Sequence, residues 1–250
     1  MTQDEIYRIA YRQSAIDAGC LPEDFTAADH RFCLSRPHPD ARLYLRLPLF
    51  CDFISYGTNI VVSGEDAALP IAREYLVAHP YPDCFLTPAL HFLTDRFAPY
   101  HARPYFMAEY FLPCRAPLPT LFCDAELRFL DKNTLLPLYG EPSWSMALSA
   151  SHPERDMCAI GAFANGVLVG LAGCSADCDT MWQIGIDVLP GYRHRGIASA
   201  LVAAMGNEIF SRGKVPFYCA AWSNIPSVKT AIRAGFAPAW VHLTCIRENN

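Results

Sequence analysis

Between Gly191 and Leu201 the chain reads GYRHRGIASAL, and the order of residue types there is chemically pointed. Arg193, His194 and Arg195 bring positive charge up to Gly196, after which a small-residue, apolar helix pattern begins. A helix start already presents unpaired backbone N–H groups and a partial positive charge. Cations added there suit a strongly negative ligand such as phosphate, held by backbone amides and charged side chains together. The spacing is Arg193-x-x-Gly196-x-Ala198, preceded by Ile186-x-Val188-x-Pro190-x-Tyr192. It is not a P-loop, because no Gly-Lys-Ser/Thr follows, and not a dinucleotide fingerprint, because GxGxxG is missing. Alone, the segment reads more simply as a basic helix start solvated by water. Its surroundings favour a ligand: from Arg193 to Arg233 six Lys/Arg stand against one acid, Glu208. That is a local positive field within an acidic chain.

A second block follows at Ser223-Asn224-Ile225-Pro226-Ser227, then Ala231, then Ala234-Gly235-Phe236. With both blocks in this order and at this distance, the region resembles the GNAT superfamily of N-acyltransferases. Its coenzyme A pyrophosphate loop carries Q/R-x-x-G-x-G/A, and members often show an asparagine, a small residue three later, and Gly-Phe beyond. Asn224, Ser227, Gly235 and Phe236 fall on those positions. The resemblance covers roughly residues 124–250, and the chain as a whole is similar to a bacterial subgroup of about this length with an extra N-terminal half.

The resemblance implies acetyl-CoA as acyl donor, with no metal. It implies that the amides from Tyr192 through Arg193, His194, Arg195, Gly196 and Ile197 to Ala198 hold the pyrophosphate. Gly196 is expected to let the loop approach closely, where a Cβ would obstruct it. The strand Ile184–Leu189, through Ile186 and Val188, would pair its backbone with the pantetheine arm and splay from VPFYCAA. An N–H near Val188 would stabilise the tetrahedral oxyanion.

Acid and base are where the sequence departs from the family pattern. The tyrosine seven positions after the asparagine is Ala231 here, which leaves Ser227, Tyr218 or water as proton donor. The usual strand glutamate corresponds to Gln183, which takes no proton at neutral pH. Asp187 lies on the same strand face and reads either as base or as a structural carboxylate bonded to backbone N–H groups. His242 is another base candidate by its ordinary pKa range, though a partly exposed histidine at a strand end explains it as well. Trp222 and Trp240 are candidates for an acceptor pocket or for core. The catalytic set read from the sequence is thus Asp187, Asn224 and Ser227.

These residues need elements to position them. From about Asp124 the chain is regular: ELRFL as a strand, a short helical LLPLYG, then CAIGAFANGVLVGLAGC. There Asn165-Gly166 is the preferred pair for a tight hairpin turn. MWQIGIDVL follows as a strand, IASALVAAMGNEIF as a helix, VPFYCAA as a strand, Pro226–Ala234 as a helix closed by Gly235, and AWVHLTCI as a last strand. The order predicts an α/β (α+β) fold, a mixed sheet flanked by helices. The first 120 residues hold 13 of the 20 prolines and predict shorter, less regular elements. Thr2 and Glu5 form a capping-box pattern before an Ile6, Ile9, Ala10, Ile16 stripe ended by Gly19. A second helix is expected from near Ser63, and RLYLRL, DFISYGTNIVVS and PYFMAEYFL read as strands.

The expected division is an N-terminal α/β domain at 1–120, completing the acceptor pocket, and a catalytic acyl-CoA domain at 121–250. Only 14 residues follow Phe236, too few for two closing strands, so an N-terminal segment such as FISYGTNIVV is expected at that edge.

Composition bounds the rest. The 250 residues are 52% hydrophobic and 18% charged with a formal net charge of −5. That allows a packed core and makes nucleic acid an unexpected partner. No stretch reaches membrane-span length, and MTQDEIYR lacks the basic start of a signal peptide, so a cytoplasmic location is expected. The eleven cysteines include no CxxC pair. They read as free thiols used as small hydrophobes in a reducing compartment, with no metal site. The leading function is an N-acetyltransferase acting on a primary amine, with a small-molecule acceptor preferred and a homodimer left open. The rival is a non-catalytic acyl-CoA-binding sensor. A nucleotide-binding structural domain fits the basic loop but not the second block.

Overall fold

In a computed structural model describing residues 1–81 and 83–248, the chain begins with helix α1, Gln3–Ala18. The capping box forms: Thr2 N–H donates to Glu5 Oε2 at 2.7 Å, and Glu5 N–H to Thr2 Oγ1 at 3.2 Å. Gly19 ends the helix in the left-handed region at φ 72°, as a glycine there does without a Cβ clash. Contacts divide the chain into two units: Met1–Ile9 with Tyr110–Pro238, and Ala10–Glu109 with Ala239–Asn250. The units are not consecutive halves, since the last strand from Ala239 onward packs with the earlier residues.

In the second of these units β1 (Arg31–Leu34), β2 (Cys51–Ser55) and β3 (Val61–Gly64) are joined by the final strand. β3 runs parallel to β1 and antiparallel to β2. DFISYGTNIVVS is therefore not one strand but the β2–β3 hairpin, and Ser63 lies inside β3 with its hydroxyl on Ala18 O at 2.8 Å. Helix α2 starts later, at Leu69, and runs to Ala78. α3, Thr87–Phe97, was not expected. RLYLRL is no strand. Leu45 N–H turns back to Arg42 O at 2.9 Å, because the Arg42 guanidinium is drawn inward to Asp17 Oδ2 at 2.6 Å. Phe50, Phe53, Tyr75, Leu93 and Phe97 form the core of this unit.

PYFMAEYFL does form a strand, β4, Ala102–Pro113. Its end belongs to the other unit, whose sheet continues with β5 (Glu126–Leu130), β6 (Asp156–Ala164), β7 (Val167–Ser175), β8 (Met181–Val188) and β9 (Val215–Ala220). β5 to β8 are antiparallel neighbours, whereas β8 and β9 are parallel. The arrangement is mixed α/β, with helices flanking the sheet. Asn165 and Gly166 close the β6–β7 hairpin with φ 50° and 79°, both positive as a type I′ turn requires. Between β5 and β6 lies the short helix α4, Lys132–Leu135.

α5, Ile197–Ser211, buries Ile197, Leu201, Val202, Met205 and Ile209 against Val169, Ala172 and Ile184. At about 1.5–3 kcal/mol for each large apolar side chain, this face fixes the helix on the sheet. α6, Ile225–Arg233, follows β9. β10, Phe236–Arg247, is the single closing strand. Its later part pairs antiparallel with β2, from Val241↔Ser55 to Cys245↔Cys51. The FISYG segment thus does supply the neighbour to the last strand. Beside β9, Tyr110 of β4 packs its ring on Phe217 and Phe111 on Tyr218, and Cys114 N–H donates to Gly235 O at 3.0 Å. Among the described residues no helix is long and apolar enough to cross a membrane, and no three His, Cys, Asp or Glu gather as metal ligands.

Candidate active site

β8 delivers the basic loop. Past Val188, Pro190–Tyr192 make one tight helical turn, with Tyr192 N–H on Leu189 O at 2.9 Å. His194 and Gly196 then adopt positive φ, 65° and 78°. Gly196 is the N-cap of α5 and offers no side-chain acceptor. The first-turn amides of α5, from Ile197 and Ala198 onward, are therefore left for an external acceptor. A Cβ on Gly196 would meet only Phe122 O, at 3.7 Å. Within the protein the backbone angle alone favours glycine here. Arg193, His194 and Arg195 are all exposed. Arg193 Nε donates to Val188 O at 3.0 Å, and the Arg195 guanidinium lies 5.3 Å over the Tyr192 ring. A cavity of about 690 Å³ flanks the loop beside Gly191, Tyr192, Arg195 and the Asn165–Gly166 turn.

The same strand opens a gap. β8 and β9 pair only at Met181↔Val215, Trp182↔Pro216 and Gln183↔Phe217. Ile184–Val188 and Tyr218–Ala220 continue without each other. On the β7 side, Leu189 N–H bonds Val169 O at 2.9 Å and Val188 stands opposite Gly170. Antiparallel geometry alternates bonded and non-bonded pairs. Val188 and, two residues back, Ile186 therefore turn their backbone N–H and C=O groups away from β7, into the gap. These are the two positions the sequence singled out.

Asp187 points elsewhere. Its Oδ2 accepts from Met146 N–H at 2.8 Å and Ala147 N–H at 2.9 Å. Burial pushes the carboxyl above its usual range, and those two N–H groups oppose the shift. The Met146–Ala147 backbone lies flat on the sheet there because Gly173 and Gly185 face each other across β7 and β8. A Cβ on either would collide with the Ala147 or Met146 carbonyl oxygen. Sequence reasoning missed this segment; the signal was a glycine on each of two neighbouring strands.

On the far side of the gap, Tyr218 Oη and Ser227 Oγ are 2.8 Å apart. Ser227 sits in the first turn of α6, where Asn224 caps the helix and its Oδ1 accepts Ser227 N–H at 3.3 Å. Burial raises the Tyr218 phenol, the Ser227 hydrogen bond lowers it, and the field of Asp187 adds to the rise. Ala231 is fully buried in the core, so its position offers no proton donor. Trp222 is 45% exposed. Trp240 and His242 lie in the other unit and are buried. His242 is therefore not a partly exposed strand-end residue. It stands 3.4 Å from Asp52, and burial together with the Arg42 charge pushes its pKa down to about 3.

Residues 125–236 match the acetyltransferase (GNAT) family. No curated protein matches the sequence. Among crystal structures, a GNAT-family acetyltransferase of Novosphingobium aromaticivorans is 21% identical, with 59% of this chain and 68% of that one covered and a TM-score of 0.43. A GCN5-related N-acetyltransferase-like protein of Streptococcus suis is 16% identical, covering 75% and 71%, with a TM-score of 0.45. An aminoglycoside N-acetyltransferase in complex with CoA is 24% identical, covering 49% and 93%, with a TM-score of 0.37. The matched residues, 125–236, are those that hold the basic loop, the strand gap and the Tyr218–Ser227 pair, and over them the chain is similar to the acetyltransferase (GNAT) family.

Proposed function

We propose that this chain is an N-acetyltransferase that moves the acetyl group of acetyl-CoA to a primary amine of a small molecule, by direct attack on the thioester. The observation that carries the reading is that one strand, β8, does both jobs. It parts from β9 after Gln183 and ends in the uncapped start of α5. A linear donor whose pyrophosphate sits on Gly196–Ala198 then has its pantetheine arm along Ile186 and Val188, where backbone groups face the gap.

In this reading the neutral amine attacks the thioester carbon, and Val188 N–H stabilises the oxyanion that develops. The C–S bond then breaks and the leaving thiolate takes a proton from the Tyr218–Ser227 hydroxyl pair, with Asn224 holding Ser227 in place. Asp187 positions the Met146–Ala147 segment through its two accepted hydrogen bonds and is not the base. The amine enters neutral and held against the thioester, and the proton its nitrogen sheds as the amide forms passes through solvent to restore the hydroxyl pair. The hydroxyl pair favours an enzyme over a binding module, since a sensor needs no proton donor at the thioester sulfur.

Calorimetry with acetyl-CoA, followed by thiol release across a panel of primary amines, tests the reading. Binding with amine-dependent release of free coenzyme A is expected. Binding without release for any amine would leave the sensor, and no binding would remove both.

A further inference from the structure

We infer that Cys158 and Cys174 are a modification site, a dithiol that hydrogen peroxide converts reversibly to a disulfide. This goes beyond acyl transfer and does not depend on it. The two residues are direct partners across β6 and β7. Their sulfur atoms are 3.6 Å apart, with Cys174 Sγ also 3.7 Å from Cys158 O. Opposed residues in antiparallel strands have Cα atoms about 4.5–5.5 Å apart, inside the span a disulfide bridges. The sequence, without a CxxC pair, gave no sign of this, because the partners come from a hairpin.

The charges around the pair bear on its reactivity. The Arg212 guanidinium at the end of α5 lies 5.9 Å over the Trp182 ring and is ion-paired to Glu208 at 2.7 Å. The Cys158 thiol is held down first by its hydrogen bond from Cys174 and then by the fields of Arg212 and Lys132, against burial and Glu208. Cys51 and Cys245 also face each other, across β2 and β10. Burial pushes both thiols up, and the Asp52 carboxylate raises them further. In Cys20 and Cys33 the hydrogen bond between the two thiols lowers Cys33 and raises Cys20, while burial and the Asp24 carboxylate raise both and no cation offsets them.

Access is through local opening. Both sulfurs are in residues only 1% exposed, but the β6–β7 register is broken between Asp156 and Cys158. A bulge of this kind weakens the ladder beside the pair.

The Cys158 thiolate attacks one peroxide oxygen, the O–O bond breaks and hydroxide leaves. Cys174 then gives up its proton and attacks the sulfenic sulfur of Cys158, the S–O bond breaks and a second hydroxide leaves. Protons from the two thiols turn both hydroxides into water. Two electrons pass from the dithiol to the peroxide.

The test treats the reduced, folded chain with hydrogen peroxide, blocks free thiols under denaturing conditions, and maps peptides by mass spectrometry. The expected result is two fewer free thiols, a Cys158–Cys174 linked peptide, and full recovery with dithiothreitol. Cys158→Ser and Cys174→Ser should each abolish the linkage, and Arg212→Gln should slow it several-fold. Peptide mapping of the unaltered chain stands even if a cysteine variant fails to fold. Unchanged thiol number, or a link joining other cysteines, would overturn the inference.

Discussion

Tyr218 Oη and Ser227 Oγ, 2.8 Å apart, tie the free end of β9 to the first turn of α6. Neither hydroxyl lies in a loop that has to close over substrate, so the pair is set before the donor arrives. If it protonates the leaving thiolate, Tyr218→Phe should lower kcat by about 10²-fold, the lower range for general acid catalysis. KM for acetyl-CoA should change by no more than about twofold, because the phenol would act on the transition state and not on donor binding. Ser227→Ala should show the same pattern in weaker form. Steady-state kinetics decide this, and an unaltered kcat in Tyr218→Phe would remove the pair from the chemistry.

The basic loop makes a separable prediction about binding. Arg193→Glu and Gly196→Glu each place a carboxylate where the pyrophosphate is proposed to sit. Loss of one charge-assisted hydrogen bond is worth about 1.5–3 kcal/mol, so Kd for acetyl-CoA should rise at least about tenfold by calorimetry. Gly196→Ala should behave differently. With φ at 78° and open contact at the Cβ position, it should cost about 1–2 kcal/mol of stability and leave Kd nearly unchanged.

Gly173 and Gly185 test the support behind the site. A methyl group on Gly185 must push the Met146 carbonyl off the sheet and with it the two N–H groups on Asp187. Gly185→Ala is expected to destabilise the fold by about 1–3 kcal/mol, the usual range for overpacking. It should also expose Asp187, whose carboxyl should then titrate closer to its ordinary range. A denaturant midpoint equal to that of the unaltered chain would mean that this segment is not held as described.

How much of this was legible in the residues depends on range. Asn165-Gly166, Thr2 with Glu5, and the stripe of α5 each specify local geometry, and the structure follows them. Gly196 stands out in the sequence as well, and its backbone adopts the left-handed angle that favours glycine. RLYLRL misled because alternation cannot show that Arg42 is drawn inward to Asp17, a contact 25 residues away. Ser63 misled because a capping residue reads the same when it sits in a strand with its hydroxyl on a distant carbonyl. Asp187 read either as a base or as a structural carboxylate, and the donors it meets, Met146 and Ala147, were invisible without the fold. The Cys158–Cys174 contact was invisible for the same reason.

Asp52 and His242 give the last prediction, on the pH dependence of stability. They face each other at 3.4 Å, fully buried, with Thr244 Oγ1 on Asp52 Oδ1 at 2.7 Å. Asp17, Arg42, Cys51 and Cys245 are ionisable groups that act on them or feel their charge. Burial, aided by Asp17, pushes Asp52 up from 3.8 to about 7. Burial, aided by Arg42, pushes His242 down from 6.5 to about 3. Between about pH 4 and 7 the folded state therefore holds a proton on Asp52 that the unfolded chain has lost, so this contribution falls as pH rises. Between about pH 3 and 6.5 the unfolded chain holds a proton on His242 that the folded state refuses, so that contribution rises with pH. The two slopes oppose, and the unaltered chain should vary little across their overlap on account of this pair. Asp52→Asn should uncover a stability that climbs from about pH 3 to 6.5. His242→Gln should uncover one that declines from about pH 4 to 7. Urea midpoints measured across that range would show it, and slopes of the same sign in both variants would sink the assignment.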